Sequence, residues 1–144
     1  MVAAAGLRWQ WVRENGAAPV STREEFVRHF AAWAEGNAAS HRCLVAVRDD
    51  TVIGMGWLAV TSRVPSPRAL ERASGDVQCV YVVPEERNTG LGGVLIEALL
   101  QLARESGLER VTVHSSTRAI GAYERHGFAL SPRLLQTGLD NPLS

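Results

Sequence analysis

The chain has 144 residues, 46% hydrophobic and 21% charged, with 15 basic residues balancing 15 acidic ones. That size and composition predict one globular domain over residues 1–144, with a core that needs neither disulfides nor metal. A net charge of zero gives no overall electrostatic case for nucleic acid or an anionic membrane surface as a partner.

Other exclusions follow from particular residues. Cys43 and Cys79 sit in strand-like runs without CxxC spacing, which predicts buried reduced thiols in a cytoplasmic protein. His29, His41, His114 and His126 share no ligand spacing, so no metal site is expected. Met1–Gly6 lacks a basic n-region and no apolar run reaches 18 residues, so neither export nor membrane spanning is expected.

In chain order, Leu7–Val12 alternates and predicts a first strand with Trp9 and Trp11 on one face. Glu14–Val20 reads as a loop, and Ser21-Thr22-Arg23-Glu24 as a capping box that opens a helix. Phe26, Phe30 and Trp33 mark its buried face, and it ends near Gly36-Asn37. His41–Arg48 and Thr51–Val60 predict a hairpin turning at Asp49-Asp50. Gly54 and Gly56 within it point to a bulge or a close backbone approach. Thr61–Gly75, with two prolines and little periodicity, reads as a surface loop.

The most informative stretch is Val77–Gly107. A valine-rich run predicts a buried strand, which Pro84 stops. A polar, glycine-rich turn follows, and Leu91, Val94, Leu95, Ala98, Leu99, Leu102 and Ala103 then recur at helical spacing up to Gly107. A strand therefore feeds through glycines into a helix N-terminus, where unpaired N–H groups and the helix dipole favour an anion. Gly90, Gly92 and Gly93 admit close backbone approach, Asn88 tolerates a left-handed turn, and Arg87 adds a forked cation. The same glycines fit close packing of helix on sheet equally well. Arg110–Ser115 predicts another strand, Thr117 caps a short helix through Arg125, and Phe128–Leu130 and Leu134–Leu139 predict two closing strands.

The turn is neither a Walker loop, since the chain has no lysine, nor a dinucleotide fingerprint, since Leu95 stands where the third glycine belongs. Its spacing is Arg87-x-x-Gly90-x-Gly92, preceded by Val80-Tyr81-Val82-Val83-Pro84-Glu85. Downstream lies Ala119-Ile120-Gly121-Ala122-Tyr123-Glu124-Arg125-His126-Gly127-Phe128. Here the sequence resembles the GNAT superfamily of acyl-CoA-dependent N-acyltransferases. Its loop reads Gln/Arg-x-x-Gly-x-Gly/Ala and its later segment Ala-x-x-Leu/Phe-Tyr-Glu-x-x-Gly-Phe. The two matches fall in the family's order within residues 77–128. Asn88 stands where glycine is common, and Ala122 where Leu or Phe is common.

The resemblance implies an α/β (α+β) fold: a mixed, mostly antiparallel sheet of about six to seven strands with a splayed central pair and flanking helices. The element order βαβββαβαββ would suit it, with one helix replacing the usual pair after the first strand. It implies transfer of an acetyl group from acetyl-CoA directly to a primary amine of a small molecule or peptide. Open backbone at Tyr81, Val82 and Val83 would hold the pantetheine arm, with the Val82 N–H polarising the acetyl carbonyl. The N–H groups of Asn88, Thr89, Gly90, Leu91, Gly92 and Gly93 would take the pyrophosphate beside Arg87. Tyr123 falls on the family's general acid, the alternative being a packed core aromatic four residues after Ala119. Ser116 is either a pantetheine contact or a helix-cap partner, and Asp76 either a general base or a solvated strand-entry carboxylate, with Gln78 and His114 as other water-orienting groups. Trp33, Trp57, Glu35 and Glu71 line either an acceptor pocket or ordinary core and surface. A homodimer is implied at family level. A non-catalytic acyl-CoA sensor and a transferase for longer acyl chains are the competing functions.

Overall fold

The computed structural model describes residues 1–139. Its elements are α1 (Val2–Glu14), α2 (Arg23–Gly36), β1 (His41–Arg48), β2 (Thr51–Arg63), β3 (Arg72–Val82), α3 (Leu91–Glu105), β4 (Val111–Val113) and α4 (Ile120–Glu124). Short 3₁₀ turns sit at Pro84–Glu86 and Thr117–Ala119.

The expected first strand at Leu7–Val12 is instead part of α1. The alternation of Trp9 and Trp11 is overruled by Ala4, Leu7 and Trp11, which share one helical face. Ala4, Ala5 and Leu7 are buried, and Trp11 stacks on Tyr81 with ring centroids 5.8 Å apart. A helix pair therefore precedes the sheet, where a single helix was expected. In α2 the cap is Thr22, whose Oγ1 accepts from Glu25 N–H at 3.1 Å. Asn37 closes the helix, its amide and side chain both bonded to the Trp33 carbonyl.

The sheet has the order β1-β2-β3-β4, three antiparallel strands in succession and β4 parallel to β3. Asp49 and Asp50 both take positive φ, as the two-residue hairpin turn requires. The expected Thr61–Gly75 loop shrinks to residues 64–71, because β2 runs on to Arg63 and β3 starts at Arg72. Four strands form among the described residues, against six to seven expected. The shortfall lies at the two ends, in α1 and in Phe128–Leu130 and Leu134–Leu139, which have no regular structure. Pro132 and a turn from Ser131 to Leu134 interrupt that segment, and Leu130, Leu134, Leu135 and Leu139 are exposed. Apolar residues alone do not make a strand without an edge to pair with.

Helices cover the sheet on both faces. Against α1 and α2 lie Met55, Trp57 and Tyr81; on the other face Leu58 and Val77 meet Ile96 and Leu99 of α3 and Tyr123 of α4. The α3 stripe is rotated from the expected one: Ile96 is buried and Val94 is 63% exposed. The register of β2 and β3 shifts between Met55 and Trp57, so Gly56 faces two residues, Cys79 and Val80. Cys79 is left-handed there, φ 54°. A Cβ on Gly56 would stand 2.7 Å from Leu99 Cδ1, and one on Gly54 3.1 Å from Leu95 Cδ1. Both expectations for these glycines hold at once: a bulge and a close approach. Leu99 is fully buried and has little room to retreat. Gly56→Val is expected to cost about 1–3 kcal/mol of stability, read from the denaturant midpoint. An unchanged midpoint would show that α3 gives way freely.

Candidate active site

The site begins where β3 and β4 part. Gly75, Asp76 and Val77 pair with Val111, Thr112 and Val113, and β4 ends there while β3 continues to Val82. From Gln78 on, the β4 side of β3 has no strand beside it among the described residues. Val83 N–H donates to the Ile53 carbonyl at 2.9 Å. Bonded and non-bonded pairs alternate in an antiparallel ladder, so Val82, opposite Gly54, turns its N–H and C=O away from β2 and into the gap. Of the three residues expected to offer open backbone, Val82 alone faces the gap. Val83 is bonded to β2, and Tyr81, opposite Met55, has the same parity.

The chain then leaves through Pro84–Glu86 into the glycine turn. Asn88 adopts φ 66° and Gly90, the residue before α3, φ 85°. The Gly90 position provides no side-chain cap, and among the described residues the first N–H groups of α3, from Leu91 to Gly93, have no hydrogen-bond partner. Thr89 Oγ1 donates to the Glu86 carbonyl at 2.6 Å, and Glu86 pairs with Arg48 at 2.9 Å, which anchors the turn to β1. The two readings of the glycines divide by residue. A Cβ on Gly90 or Gly92 would meet nothing within 4 Å, whereas one on Gly93 would come 3.1 Å from His126 Nε2. Gly90 and Gly92 leave the helix tip open; Gly93 lets His126 pack.

Arg87 is held from three sides. Its Nε donates to the Val82 carbonyl at 2.9 Å, its Nη2 to Glu14 Oε2 at 2.9 Å, and its guanidinium lies 5.3 Å from the Tyr81 ring centroid. Tyr81 donates its hydroxyl to the other oxygen of Glu14. The Tyr81 and Arg87 hydrogen bonds hold the Glu14 carboxyl below its ordinary range, against a smaller opposing effect of burial. Burial, then the neighbouring Glu14, pushes the Tyr81 phenol up. Arg87 thus braces the turn against β3 and α1, with its charge paired to Glu14.

Tyr123 is 8% exposed, packed with Phe128 edge-on at 5.3 Å between ring centroids. Its hydroxyl has no hydrogen bond among the described residues, yet no buried side-chain oxygen is left sealed off, so the hydroxyl retains an opening. Burial raises the phenol above its usual value and keeps it protonated. A cavity of about 560 Å³ adjoins the ring, lined also by Val113, Ile120, Phe128 and Leu134. It runs along the outer edge of β4 and includes no residue of β3 or the glycine turn. Tyr123 lines this cavity and also belongs to the core cluster of Leu58, Val77 and Leu99.

Asp76 is half-buried, with Oδ1 accepting from Thr112 Oγ1 at 2.9 Å and Oδ2 from Gln78 Nε2 at 3.0 Å. Ser116 precedes the 3₁₀ turn but makes no side-chain cap bond, which removes the cap-partner reading and leaves its hydroxyl exposed. His114 is exposed. Trp33 and Trp57 come together with centroids 5.7 Å apart, whereas Glu35 and Glu71 are simply exposed. Sequence reasoning missed Glu14. Glu14 carries no local signal, because its partners lie 67 and 73 residues away.

The chain matches the acetyltransferase (GNAT) family model over residues 6–128. It is 38% identical over 90 residues to a mycothiol acetyltransferase of Thermobispora bispora, covering 58% of this chain and 28% of that protein. It is 35% identical over 68 residues to a glucosamine 6-phosphate N-acetyltransferase of Trypanosoma brucei brucei, covering 47% and 46%. The chain thus spans less than half the length of either relative. Among solved structures, a predicted acetyltransferase of Clostridium acetobutylicum with acetyl-CoA superposes with a TM-score of 0.73 at 18% identity, over 94% of this chain and 87% of that one. An acetyltransferase of Trypanosoma brucei does so with a TM-score of 0.73 at 23% identity, over 96% and 95%. The sheet that opens after Val77, the uncapped glycine turn and the match over residues 6–128 agree: the chain belongs to the acetyltransferase (GNAT) family.

Proposed function

We propose that the protein transfers an acetyl group from acetyl-CoA directly to a primary amine. One observation carries the reading: the gap beside Val82 opens next to a helix tip whose N–H groups have no partner among the described residues. A strand-like arm and an adjoining diphosphate fit those two features together. The uncrowded Gly90 and Gly92, the left-handed Asn88 and the nearby Arg87 charge suit such a ligand. The donor supplies an acyl group already activated as a thioester.

In this reading the chain meets three demands. Val82 N–H donates to the carbonyl oxygen as negative charge gathers on it. The Tyr123 hydroxyl gives its proton to the departing thiolate, and burial, which raises the phenol above its ordinary value, keeps that proton in place until the thiolate forms. Asp76 receives the proton of the incoming ammonium, through water, from the opposite face of the sheet. The exposed Ser116 hydroxyl is a further contact for the donor arm. Both cysteines are free, which fits a reducing cytoplasm. The exposed leucines near the C-terminus supply an apolar surface for a homodimer, which sedimentation of the purified protein tests.

Release of free CoA thiol across a panel of primary amines tests the transferase, beside calorimetry with acetyl-CoA. Thiol release that depends on the amine is the expected result. Tight binding with no amine-dependent release would replace the enzyme with a sensor, and faster release from longer acyl donors would change the donor.

A further inference from the structure

We infer that His126 is a further donor-binding residue, its Nε2 donating to the diphosphate that sits on the first N–H groups of α3. The inference rests on the acetyl-CoA reading and adds one side chain to that site. His126 follows α4 and lies against the first two turns of α3. Its Nδ1 is 3.1 Å from Glu97 Oε2, and its Nε2 would stand 3.1 Å from a Cβ on Gly93. Gly93 and Glu97 are one turn apart on the same face of the helix. The ring therefore runs along α3, anchored at Glu97, with Nε2 leading toward the tip.

Val94 N–H is the first in α3 to find a carbonyl, that of Gly90 at 3.1 Å. Gly93 N–H is thus the last of the open donors. A Cβ lies about 2.5 Å from its own amide nitrogen, so Nε2 stands no more than about 5.6 Å from the Gly93 nitrogen. Two oxygens of one phosphate, each about 2.9 Å from its donor, bridge such a span. The missing side chain at Gly93 keeps the space between them clear. Nε2 has no hydrogen-bond partner of its own among the described residues.

The charges around the ring suit an anion. Arg87, the other cation near the tip, is committed to Glu14. Glu97 is shared between His126 and Arg104, at 3.1 and 3.2 Å. Glu109 and Arg110 border a shallow cavity that His126 also lines, and Glu109 is taken up by Arg72. One carboxylate between two cations leaves the His126–Glu97–Arg104 cluster net positive when the imidazole is protonated. The His126 hydrogen bond, ahead of that from Arg104, holds the Glu97 carboxyl below its ordinary range. With Nδ1–H given to Glu97, Nε2 carries a proton only in the imidazolium. Donor binding then takes up a proton wherever the free ring is neutral.

Acetyl-CoA and S-acetylpantetheine, which keeps the thioester arm and lacks the phosphates, are the probes. His126→Phe leaves a ring against Gly93 and removes both nitrogens. In calorimetry it is expected to weaken acetyl-CoA binding by about 10-fold and to leave S-acetylpantetheine binding unchanged. Acetyl-dephospho-CoA, which keeps the diphosphate, should show the same loss. In mildly alkaline buffers of different ionisation enthalpy, the wild type should take up protons on binding acetyl-CoA and His126→Phe fewer. His126→Gln, which donates from a neutral amide, should recover most of the affinity without the proton uptake. Equal acetyl-CoA affinity in wild type and His126→Phe overturns the assignment. So does a loss shared by S-acetylpantetheine, or one confined to donors with the 3′-phosphate. Failure of the wild type to bind acetyl-CoA at all is a separate result, which overturns the donor reading and this inference with it.

Discussion

Tyr123→Phe is expected to lower turnover by about 10- to 1000-fold, the usual contribution of a positioned acid, with acetyl-CoA affinity nearly unchanged. The substitution removes one oxygen and keeps the ring that packs on Phe128. Because that oxygen has no hydrogen-bond partner among the described residues, its loss leaves no orphaned donor or acceptor in the core. The thermal midpoint should therefore stay near that of the wild type, which separates a chemical defect from a folding one. Burial favours the neutral phenol, so the proton is available at neutral pH. Steady-state rates at saturating donor, beside calorimetry, decide the matter. Full activity would remove Tyr123 from the chemistry.

Arg87→Glu should act on the donor rather than on turnover. It removes a cation beside the helix tip, frees the Val82 carbonyl, and places a second carboxylate next to Glu14. Loss of a charge-assisted contact of about 1.5–3 kcal/mol corresponds to roughly 10- to 100-fold weaker acetyl-CoA binding. Adding Glu14→Gln should relieve the like-charge pair and recover stability without recovering donor affinity, a non-additivity that a double-mutant cycle reads directly. The sign of the pH dependence follows from the lowered Glu14 carboxyl. A depressed folded value contributes stability that is present above the unfolded value and lost as pH falls through the folded one. Wild-type and Arg87→Glu melting curves should therefore converge in acid. Equal donor affinity in the two proteins would reduce Arg87 to a structural brace.

Much of the middle of the chain was legible because its signals are local. The hairpin at Asp49-Asp50 needs two residues with positive φ, and acidic residues at that spacing announce it. The glycine turn and the following helix are encoded within adjacent residues, and so is the short segment that carries Tyr123. The ends of the chain were harder. Trp9 and Trp11 alternate over too few residues to separate period 2 from a helix, and the deciding Ala4 and Leu7 act only once α1 meets Tyr81 and Met55. The Leu134–Leu139 run has strand-like composition, but strand formation depends on a partner that local composition does not reveal. The left-handed Cys79 and the Glu14–Arg87 pair arise from register and tertiary approach, and neither leaves a mark on neighbouring residues.

The two helices before the sheet carry a consequence for the order of events in catalysis. The last residue of α1 grips Arg87 beside the donor gap, while α2, packed on α1, presents Trp33 to the opposite face. One packed helix pair thus touches both the gap and the far end of the sheet. Thermodynamic reciprocity then requires that whatever factor the thioester imposes on amine affinity, the amine returns in full. Affinities measured in either sequence of addition would close that cycle, and Glu14→Gln should shrink both legs by the same factor.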